Sequence, residues 1–165
     1  MRVCVVRHST AVDPYEASSD ETRWLTAAGR ERARQVAALL GERLQPTHVF
    51  TSPLVRAVQT SEILATALGH AGHVQAAPAL GPEGGTTAQA LGVLDDLPRN
   101  ARVLLVSHEP RVRILAGQLT GLDRIPSFRT GAVCAVDWRD PEGRFAFWID
   151  PTSLKVVETL DDVFG

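Results

Sequence analysis

Two short apolar segments, each followed by a polar pair that ends in histidine, constrain the fold of this chain most. Residues 2–6 lead to His8, and residues 103–106 lead to His108. Runs of this length and β-branched content are typical of buried strands. In an open α/β sheet, ligands bind in the crevice outside the carboxyl ends of the strands. Both imidazoles are therefore expected to reach one pocket, although they are far apart in the sequence.

Strand-like and helical segments alternate along the chain. Apolar, β-branched runs at residues 2–6, 48–51 and 102–106 are separated by segments of helical period. This alternation predicts a three-layer α/β/α sandwich, in which helices cover both faces of a mostly parallel central sheet. The chain has 165 residues and no linker or repeat, so we expect a single domain over residues 1–165.

The C-terminal part of the sequence has a different pattern. Residues 132–138 and 144–149 flank a turn-rich connection and predict an antiparallel hairpin at the sheet edge. Residues 71–87 contain glycines and prolines with little periodicity, which predicts a loop with at most a short strand near residues 74–77.

Apolar spacing and capping residues predict four helices. The first begins after Thr26 as N-cap, and the second begins at Ser52 as N-cap, with proline at the next position. The third is expected over about residues 87–97. The fourth begins at Pro110 and ends near Gly121.

Charge and composition exclude several classes of protein. A net charge of -2 and a pI near 6.2 provide no basic field for nucleic acid. Cys4 and Cys134 are too few for a disulfide framework or a zinc site, and they indicate a reducing compartment. No leader segment or membrane-length apolar stretch is recognisable. We expect a cytoplasmic monomer that binds neither nucleic acid nor membranes.

Arginines join the two histidines in the predicted pocket. Arg7 precedes His8, and Arg56 lies in the first turn of the second predicted helix, close to free main-chain N–H groups. Two guanidinium groups favour an anion, and phosphate is favoured most because both arginine forks can hold its oxygens. The histidines are not grouped with carboxylates or thiolates, so no metal and no other cofactor is expected. One histidine can then attack phosphorus through a neutral ring nitrogen.

Four motifs carry a family resemblance, and further segments narrow it. The motifs are Arg7-His8, Leu-Thr-Ala-Ala-Gly at residues 25–29, Ser-Pro-Leu-Val-Arg-Ala-Val-Gln-Thr at residues 52–60, and Ser107-His108. In this order they resemble the histidine phosphatase superfamily. The chain is small, has no lid insertion, and has residues 130–132 and 150–155 similar to the tail of the SixA-type phosphohistidine phosphatases. The resemblance covers nearly the whole chain.

The resemblance implies a role for each residue of the predicted pocket. His8 is the phosphorylated nucleophile, Arg7 and Arg56 clamp the phosphoryl group, and His108 completes the pocket. The chain departs from the family pattern at Ser9, where glycine is usual. A hydroxyl at this position either crowds the turn of the backbone or adds a phosphate contact.

A general acid is not obvious in the sequence. Many phosphomonoesterases of the superfamily supply one from a loop after the third strand, and Glu83 is the candidate by position. Glu109 and Asp13 are weaker alternatives. An alkoxide leaves badly without a proton, whereas an imidazole whose conjugate acid has a pKa of about 6.5 leaves readily once protonated. A phosphohistidine substrate therefore tolerates a missing acid.

Together these features predict a metal-independent phosphohistidine phosphatase that acts on a partner protein, such as a histidine-containing phosphotransfer protein of a phosphorelay. It is expected to work through a phosphohistidine intermediate on His8. One alternative is a phosphomonoesterase of the same superfamily acting on a small phosphorylated metabolite. Another is a non-catalytic module that binds phosphate.

Overall fold

The computed structural model describes residues 1–164 and contains a seven-stranded mixed sheet with helices on both faces. The strands are β1 (Arg2–Arg7), β2 (His48–Thr51), β3 (Val74–Ala76), β4 (Arg102–Ser107), β5 (Val133–Arg139), β6 (Glu142–Asp150) and β7 (Lys155–Val157). The α-helices are α1 (Ala27–Gly41), α2 (Val55–Ala67), α3 (Thr87–Leu91), α4 (Arg111–Thr120) and α5 (Leu160–Phe164). Short 3₁₀ turns lie at Pro78–Leu80 and Gly92–Leu94.

The strand order places the two histidines side by side. The sheet runs β3-β2-β4-β1-β5-β6-β7, and the strands from β3 to β1 are parallel. Arg7 at the end of β1 pairs in register with Ser107 at the end of β4. Parallel neighbours end at the same edge of a sheet, so His8 and His108 leave it next to each other.

Strand β1 is buried on both faces, as expected for a central parallel strand. Val3 and Val5 pack in one core with residues of α4 and the 3₁₀ turns, and Cys4 and Val6 pack in a second core with α1 and α2. The sheet therefore separates two apolar layers. This arrangement confirms the predicted three-layer α/β/α sandwich.

The C-terminal strands confirm the predicted antiparallel hairpin and extend it. Strands β5 and β6 pair antiparallel, and β5 joins the sheet against β1. The sequence patterns did not predict the three-residue strand β7, which adds a further antiparallel pair outside β6, or the short helix α5. The predicted short strand in residues 71–87 is present as β3.

Two predicted helix starts have different outcomes. Thr26 is the N-cap of α1, and its side chain accepts a hydrogen bond of 2.9 Å from the main-chain N–H of Gly29. The prediction that Ser52 is the N-cap of α2 is wrong, because the helix begins at Val55, and the N–H of Ser52 is hydrogen-bonded to Val106 of the sheet. Leu54 occupies the N-cap position without a side-chain bond, and the hydroxyl of Ser52 contacts His108 instead.

The remaining helices agree with their predictions except in length. Helix α3 ends at Leu91 and continues only as a 3₁₀ turn, so the regular helix is shorter than residues 87–97. Helix α4 has Pro110 at its N-cap and Gly121 in the left-handed conformation at its C-cap, with φ of 67°. No helix in residues 1–164 is both long enough and apolar enough to cross a membrane.

Candidate active site

A cleft of about 350 Å³ lies at the carboxyl ends of β1 and β4, and we call it the strand-end cleft. Its lining residues are Arg7, His8, Thr10, Ala11, Asp20, Arg23, Arg56, Pro82, His108, Glu109 and Thr130. The structure thus brings together the two histidines and two arginines that the sequence placed in one pocket. The two histidines meet because they follow the neighbouring parallel strands β1 and β4. Arg56 reaches the cleft from the first turn of α2.

The hydrogen bonds of His8 assign a different role to each ring nitrogen. Nδ1 lies 2.7 Å from the carbonyl oxygen of Ser9, which can only accept, so Nδ1 carries the proton. Nε2 is then the lone-pair nitrogen, and it accepts a hydrogen bond of 3.3 Å from Nε of Arg56. The imidazole is therefore held in the tautomer whose Nε2 can act as a nucleophile.

Burial keeps this imidazole neutral. Only 7% of the His8 surface is exposed, and desolvation is the main reason that its pKa falls from 6.5 to about 3. The hydrogen bond to Ser9 acts in the opposite direction, whereas the nearby His108 and arginine groups lower the pKa further. A neutral ring at physiological pH is what nucleophilic attack on phosphorus requires.

His108 is oriented by Ser52. Nε2 of His108 lies 2.7 Å from the Ser52 hydroxyl oxygen, which also accepts a hydrogen bond of 3.2 Å from the N–H of Leu54. In the tautomer in which the hydroxyl donates to Nε2, the ring proton of His108 is on Nδ1. Nδ1 is buried and has no hydrogen-bond partner within residues 1–164. In this tautomer Nδ1 is a donor whose hydrogen bond a phosphoryl oxygen would complete.

The two histidine rings are close neighbours in the cleft. Their centroids are 4.9 Å apart, and the ring planes are tilted by 57°. Burial, followed by the charge of Arg56, lowers the pKa of His108 to about 4. Both rings are thus neutral at physiological pH in the absence of a ligand.

Arg7 and Arg56 are held by main-chain carbonyl groups. Nη1 of Arg7 donates to the carbonyl of Phe128 at 2.7 Å, while Nε of Arg7 is buried with no partner in the described part of the chain. Nη1 of Arg56 donates to the carbonyl of Asp20 at 2.7 Å. Each guanidinium is fixed on one side, which leaves further N–H groups for an anion.

Asp20 is a member of the cleft that the sequence did not indicate. Its carboxylate lies 3.2 Å from Nη2 of Arg56 and 3.0 Å from Nη1 of Arg23. The hydrogen bond with Arg23 is the largest reason that the pKa of Asp20 is lowered, so the carboxylate is ionised. Asp20 lies in an exposed polar loop without periodicity, and nothing in that pattern links it to Arg56.

Ser9 fits the site without either of the effects expected from its hydroxyl. The side chain is fully buried, and its hydroxyl donates a hydrogen bond of 2.7 Å to the carbonyl of Gly29 in α1. The main-chain N–H of Ser9 donates to the Thr60 hydroxyl at 3.0 Å. Ser9 thus connects the loop that carries His8 to α1 and α2, and its hydroxyl is directed to Gly29 and not into the cleft.

The three candidate acids have different positions. Glu83 and Asp13 are exposed and lie outside the set of residues that line the strand-end cleft. Glu109 does line it, but its Oε1 accepts a 2.6 Å hydrogen bond from the N–H of Phe128. Its Oε2 lies 3.9 Å from Nε of Arg113. Glu109 is thus the candidate that lines the cleft with the histidines, and its buried Oε2 has no hydrogen-bond partner within residues 1–164.

The donor groups of the cleft suit an anion. Three of the lining residues are arginines, and the carboxylate of Asp20 is paired with two of them. Within residues 1–164, no three His, Cys, Asp or Glu side chains are grouped closely enough to hold a metal ion. The geometry favours a tetrahedral oxyanion bound between guanidinium groups and a histidine N–H.

Known proteins are similar to this chain in sequence and in fold. Residues 3–81 match the family model for the histidine phosphatase superfamily (branch 1). The phosphohistidine phosphatase SixA of Escherichia coli (strain K12) is 31% identical over 97% of this chain and 100% of its own length. The chain belongs to the histidine phosphatase superfamily. It is a phosphatase of the SixA type.

Solved structures agree with this family membership. The structure of the protein histidine phosphatase SixA complexed with tungstate has a TM-score of 0.82 and 30% sequence identity, and the match covers 94% of this chain and 100% of that one. A mycobacterial glucosyl-3-phosphoglycerate phosphatase matches with a TM-score of 0.67 and 17% identity, over 87% of this chain and 96% of that one. The second match supports the fold alone.

Proposed function

We propose that this phosphatase hydrolyses phosphohistidine on a partner protein, without a metal ion, through a covalent intermediate on His8. The observation that carries the proposal is the state of His8, a neutral imidazole with a protonated Nδ1 and an Nε2 lone pair beside Arg56. Its relative SixA is named as a phosphohistidine phosphatase, which supports the choice of substrate.

In the first step, the Nε2 lone pair of His8 attacks phosphorus. A P–N bond to His8 forms while the P–N bond of the substrate breaks, and that electron pair returns to the substrate imidazole. The other nitrogen of the leaving imidazole already bears a proton, so the ring departs neutral. No carboxylic acid is needed, which fits a cleft whose Asp20 and Glu109 already have cationic or main-chain partners.

In the second step, water attacks the phosphorus atom and the P–N electron pair returns to Nε2 of His8. The product is inorganic phosphate, which carries both protons of the attacking water as H₂PO₄⁻ or releases one of them to solvent. Nδ1 keeps its proton throughout, and the carbonyl of Ser9 stabilises the positive charge of the phosphorylated ring. Arg7, Arg56 and the Nδ1–H of His108 would hold the phosphoryl oxygens in both steps.

The shape of the cleft supports a protein substrate. Most of residues 71–87 lies outside the strand-end cleft, and Pro82 is the residue of this segment that lines it. Without a roof over the site, a phosphorylated side chain on the surface of a partner can approach the two histidines. Arginine charge would replace the metal ions that neutralise phosphoryl groups in other enzymes.

Trapping the intermediate tests this proposal. The protein is mixed with ³²P-labelled phosphoramidate, a small P–N donor, then quenched in base and analysed for protein-bound label. We expect a label that is stable in base and labile in acid, present in the wild type and in the control His73→Ala, and absent in His8→Ala. His73 is an exposed histidine outside the cleft. Label that persists in His8→Ala, or steady turnover without any labelled protein in a rapid quench, would contradict the proposal.

A further inference from the structure

A second cleft, of about 430 Å³, lies beside the first and shares Arg7, Thr10 and Thr130 with it. We call it the arginine cleft. Its lining residues are Arg7, Thr10, Ala28, Arg32, Arg129, Thr130, Pro151 and Thr152. They include three arginines and, among the described residues, no carboxylate. Both tail segments that resemble the SixA type, at residues 130–132 and 150–155, contribute to this lining.

Arg32 and Arg129 form no salt bridge within residues 1–164, although the charge of Arg129 interacts with that of Asp150 at longer range. Nη1 of Arg129 donates to the Thr152 hydroxyl at 3.1 Å, and Nη1 of Arg32 donates to the Thr152 carbonyl at 3.4 Å. Neither Arg32 nor Arg129 has a carboxylate within 4.0 Å in residues 1–164. The hydrogen bonds of Arg32 and Arg129 are therefore made to neutral groups, and most of their N–H donors remain free.

The surrounding backbone holds these side chains in place. The carboxylate of Asp150, which lies in the same turn, accepts hydrogen bonds of 3.0 Å from the N–H of Thr152 and 2.8 Å from the hydroxyl of Ser153. Gly131 adopts a φ of +89°, and a Cβ at this position would lie 3.7 Å from Cγ of Arg32. The N–H of Gly131 is also hydrogen-bonded to the carbonyls of Arg7 and His8. The arginine cleft is thus joined directly to the nucleophile loop.

We infer that the arginine cleft binds an acidic side chain of the substrate protein, close to the phosphohistidine that enters the strand-end cleft. This inference rests on the proposed function. Arginine forks match the geometry of a carboxylate, and Arg7 borders both clefts. The net charge of the chain is -2, so an acidic partner is not attracted by the protein as a whole. A local group of arginines would supply the attraction and fix the orientation.

Peptide substrates test the inference without an identified partner. Two synthetic phosphohistidine peptides are compared, one with aspartates flanking the phosphohistidine and one with asparagines at the same positions. The measured quantity is the ratio of kcat/KM for the acidic peptide to that for the neutral one. We expect a ratio of about five- to tenfold in the wild type, as for an exposed carboxylate held by charge-assisted hydrogen bonds. The double variant Arg32→Gln/Arg129→Gln should bring the ratio close to one.

The control is Arg34→Gln, which removes an exposed arginine of the same helix that pairs with Glu31 at 3.4 Å. It should keep the wild-type ratio, and circular dichroism would verify that each variant is folded. An equal rate on both peptides in the wild type, or an unchanged ratio in the double variant, would overturn the inference while leaving the proposed function intact. Failure of the wild type to hydrolyse either peptide would instead contradict the proposed function.

A further experiment tests whether the arginine cleft binds a carboxylate of a small metabolite instead of one on a protein. It compares the rates of hydrolysis of phosphoglycerate and glycerol phosphate. These two phosphomonoesters differ in the presence of a carboxylate. If the double variant lost a preference for phosphoglycerate but kept the preference for the acidic peptide, the arginine cleft would serve a metabolite, and the inference of a protein partner would be wrong. We expect the double variant to lose the preference for the acidic peptide.

Discussion

Nδ1 of His8 lies 2.7 Å from the carbonyl oxygen of Ser9, the residue that follows it in the chain. The group that sets the tautomer of His8, the proposed nucleophile, is therefore a main-chain atom, which a substitution at position 9 does not remove. The hydroxyl of Ser9 has a separate structural role, since it donates to Gly29 of α1. The carbonyl of Ser9 thus orients the His8 ring, while its hydroxyl attaches the loop to α1.

Ser9→Ala should lower stability more than activity. The substitution removes a buried hydrogen bond to the Gly29 carbonyl, which we expect to cost about 1 kcal/mol in the free energy of unfolding. It keeps the carbonyl that accepts from His8, so kcat should stay within about twofold of the wild type. Urea denaturation and steady-state kinetics on phosphoramidate check both values. A large loss of kcat at unchanged stability would place the hydroxyl in the reaction.

Ser52→Ala should lower activity, because Ser52 holds His108 rather than capping a helix. Without the hydroxyl, Nδ1 and Nε2 of His108 compete for the ring proton, and we expect kcat/KM on phosphoramidate to fall about five- to tenfold. Ser61→Ala is the matched control, since its buried hydroxyl donates at 2.8 Å to Ala57 inside α2. A similar loss in both variants would show that general destabilisation is responsible.

The strand-end cleft was partly predictable for a physical reason. Apolar runs mark β1 and β4 locally, and the rule that ligands bind at strand ends then brings His8 and His108 together without any knowledge of distances. The function of Ser52 was not predictable in this way. The Ser-Pro pair is typical of a helix start, but Ser52 is still hydrogen-bonded to Val106 of the sheet and the helix begins at Val55.

Other features were outside the reach of sequence patterns because nothing local encodes them. Asp20 meets Arg56 through the path of a polar loop, and polar loops have no periodicity. Strand β7 has three residues, too few for an alternating pattern, and it exists because β6 offers an open edge. The arginine cleft joins residues from four parts of the chain, so only the folded structure reveals it.

The carboxylates near the cleft separate the proposed function from its closest alternative. We expect Glu83→Gln and Glu109→Gln to change hydrolysis of a phosphohistidine peptide by less than about twofold, since the leaving imidazole needs no acid. Phosphoserine, whose alkoxide leaving group does need one, is the comparison substrate. If either variant lost activity equally and strongly on both substrates, that glutamate would be a general acid and the phosphomonoesterase alternative would be favoured.

Asp20→Asn should improve substrate binding. The carboxylate occupies Nη2 of Arg56 at 3.2 Å, where it competes with an incoming phosphoryl group, while the Asp20 carbonyl keeps hold of Nη1 in the variant. The pair is half exposed on the Asp20 side, so we expect KM for phosphoramidate to fall only about two- to threefold at unchanged kcat. Asp13→Asn, an exposed change outside the cleft, is the control. A fall in kcat with constant KM would instead make Asp20 a positioning residue for Arg56.

The two buried histidines make stability depend on pH. Burial lowers the pKa of His8 to about 3 and that of His108 to about 4, from 6.5 in the unfolded chain. As pH falls below about 6.5, the unfolded chain binds protons that the folded protein does not, so the free energy of unfolding decreases. The slope should reach about 1.4 kcal/mol per pH unit for each histidine. The free energy of unfolding should then continue to fall until the pH reaches the folded pKa values.

Urea denaturation between about pH 7 and pH 4.5 measures this slope. His108→Asn should reduce it by about half over this range, because one of the two histidines that stay neutral only in the folded state is removed. His73→Asn replaces an exposed histidine and should leave the slope unchanged. The same neutrality predicts that kcat/KM persists below pH 6, since His8 remains a nucleophile there. A slope unaffected by His108→Asn would mean that His108 is protonated within the folded cleft, and its Nδ1 would then act as part of a cation instead of a neutral donor.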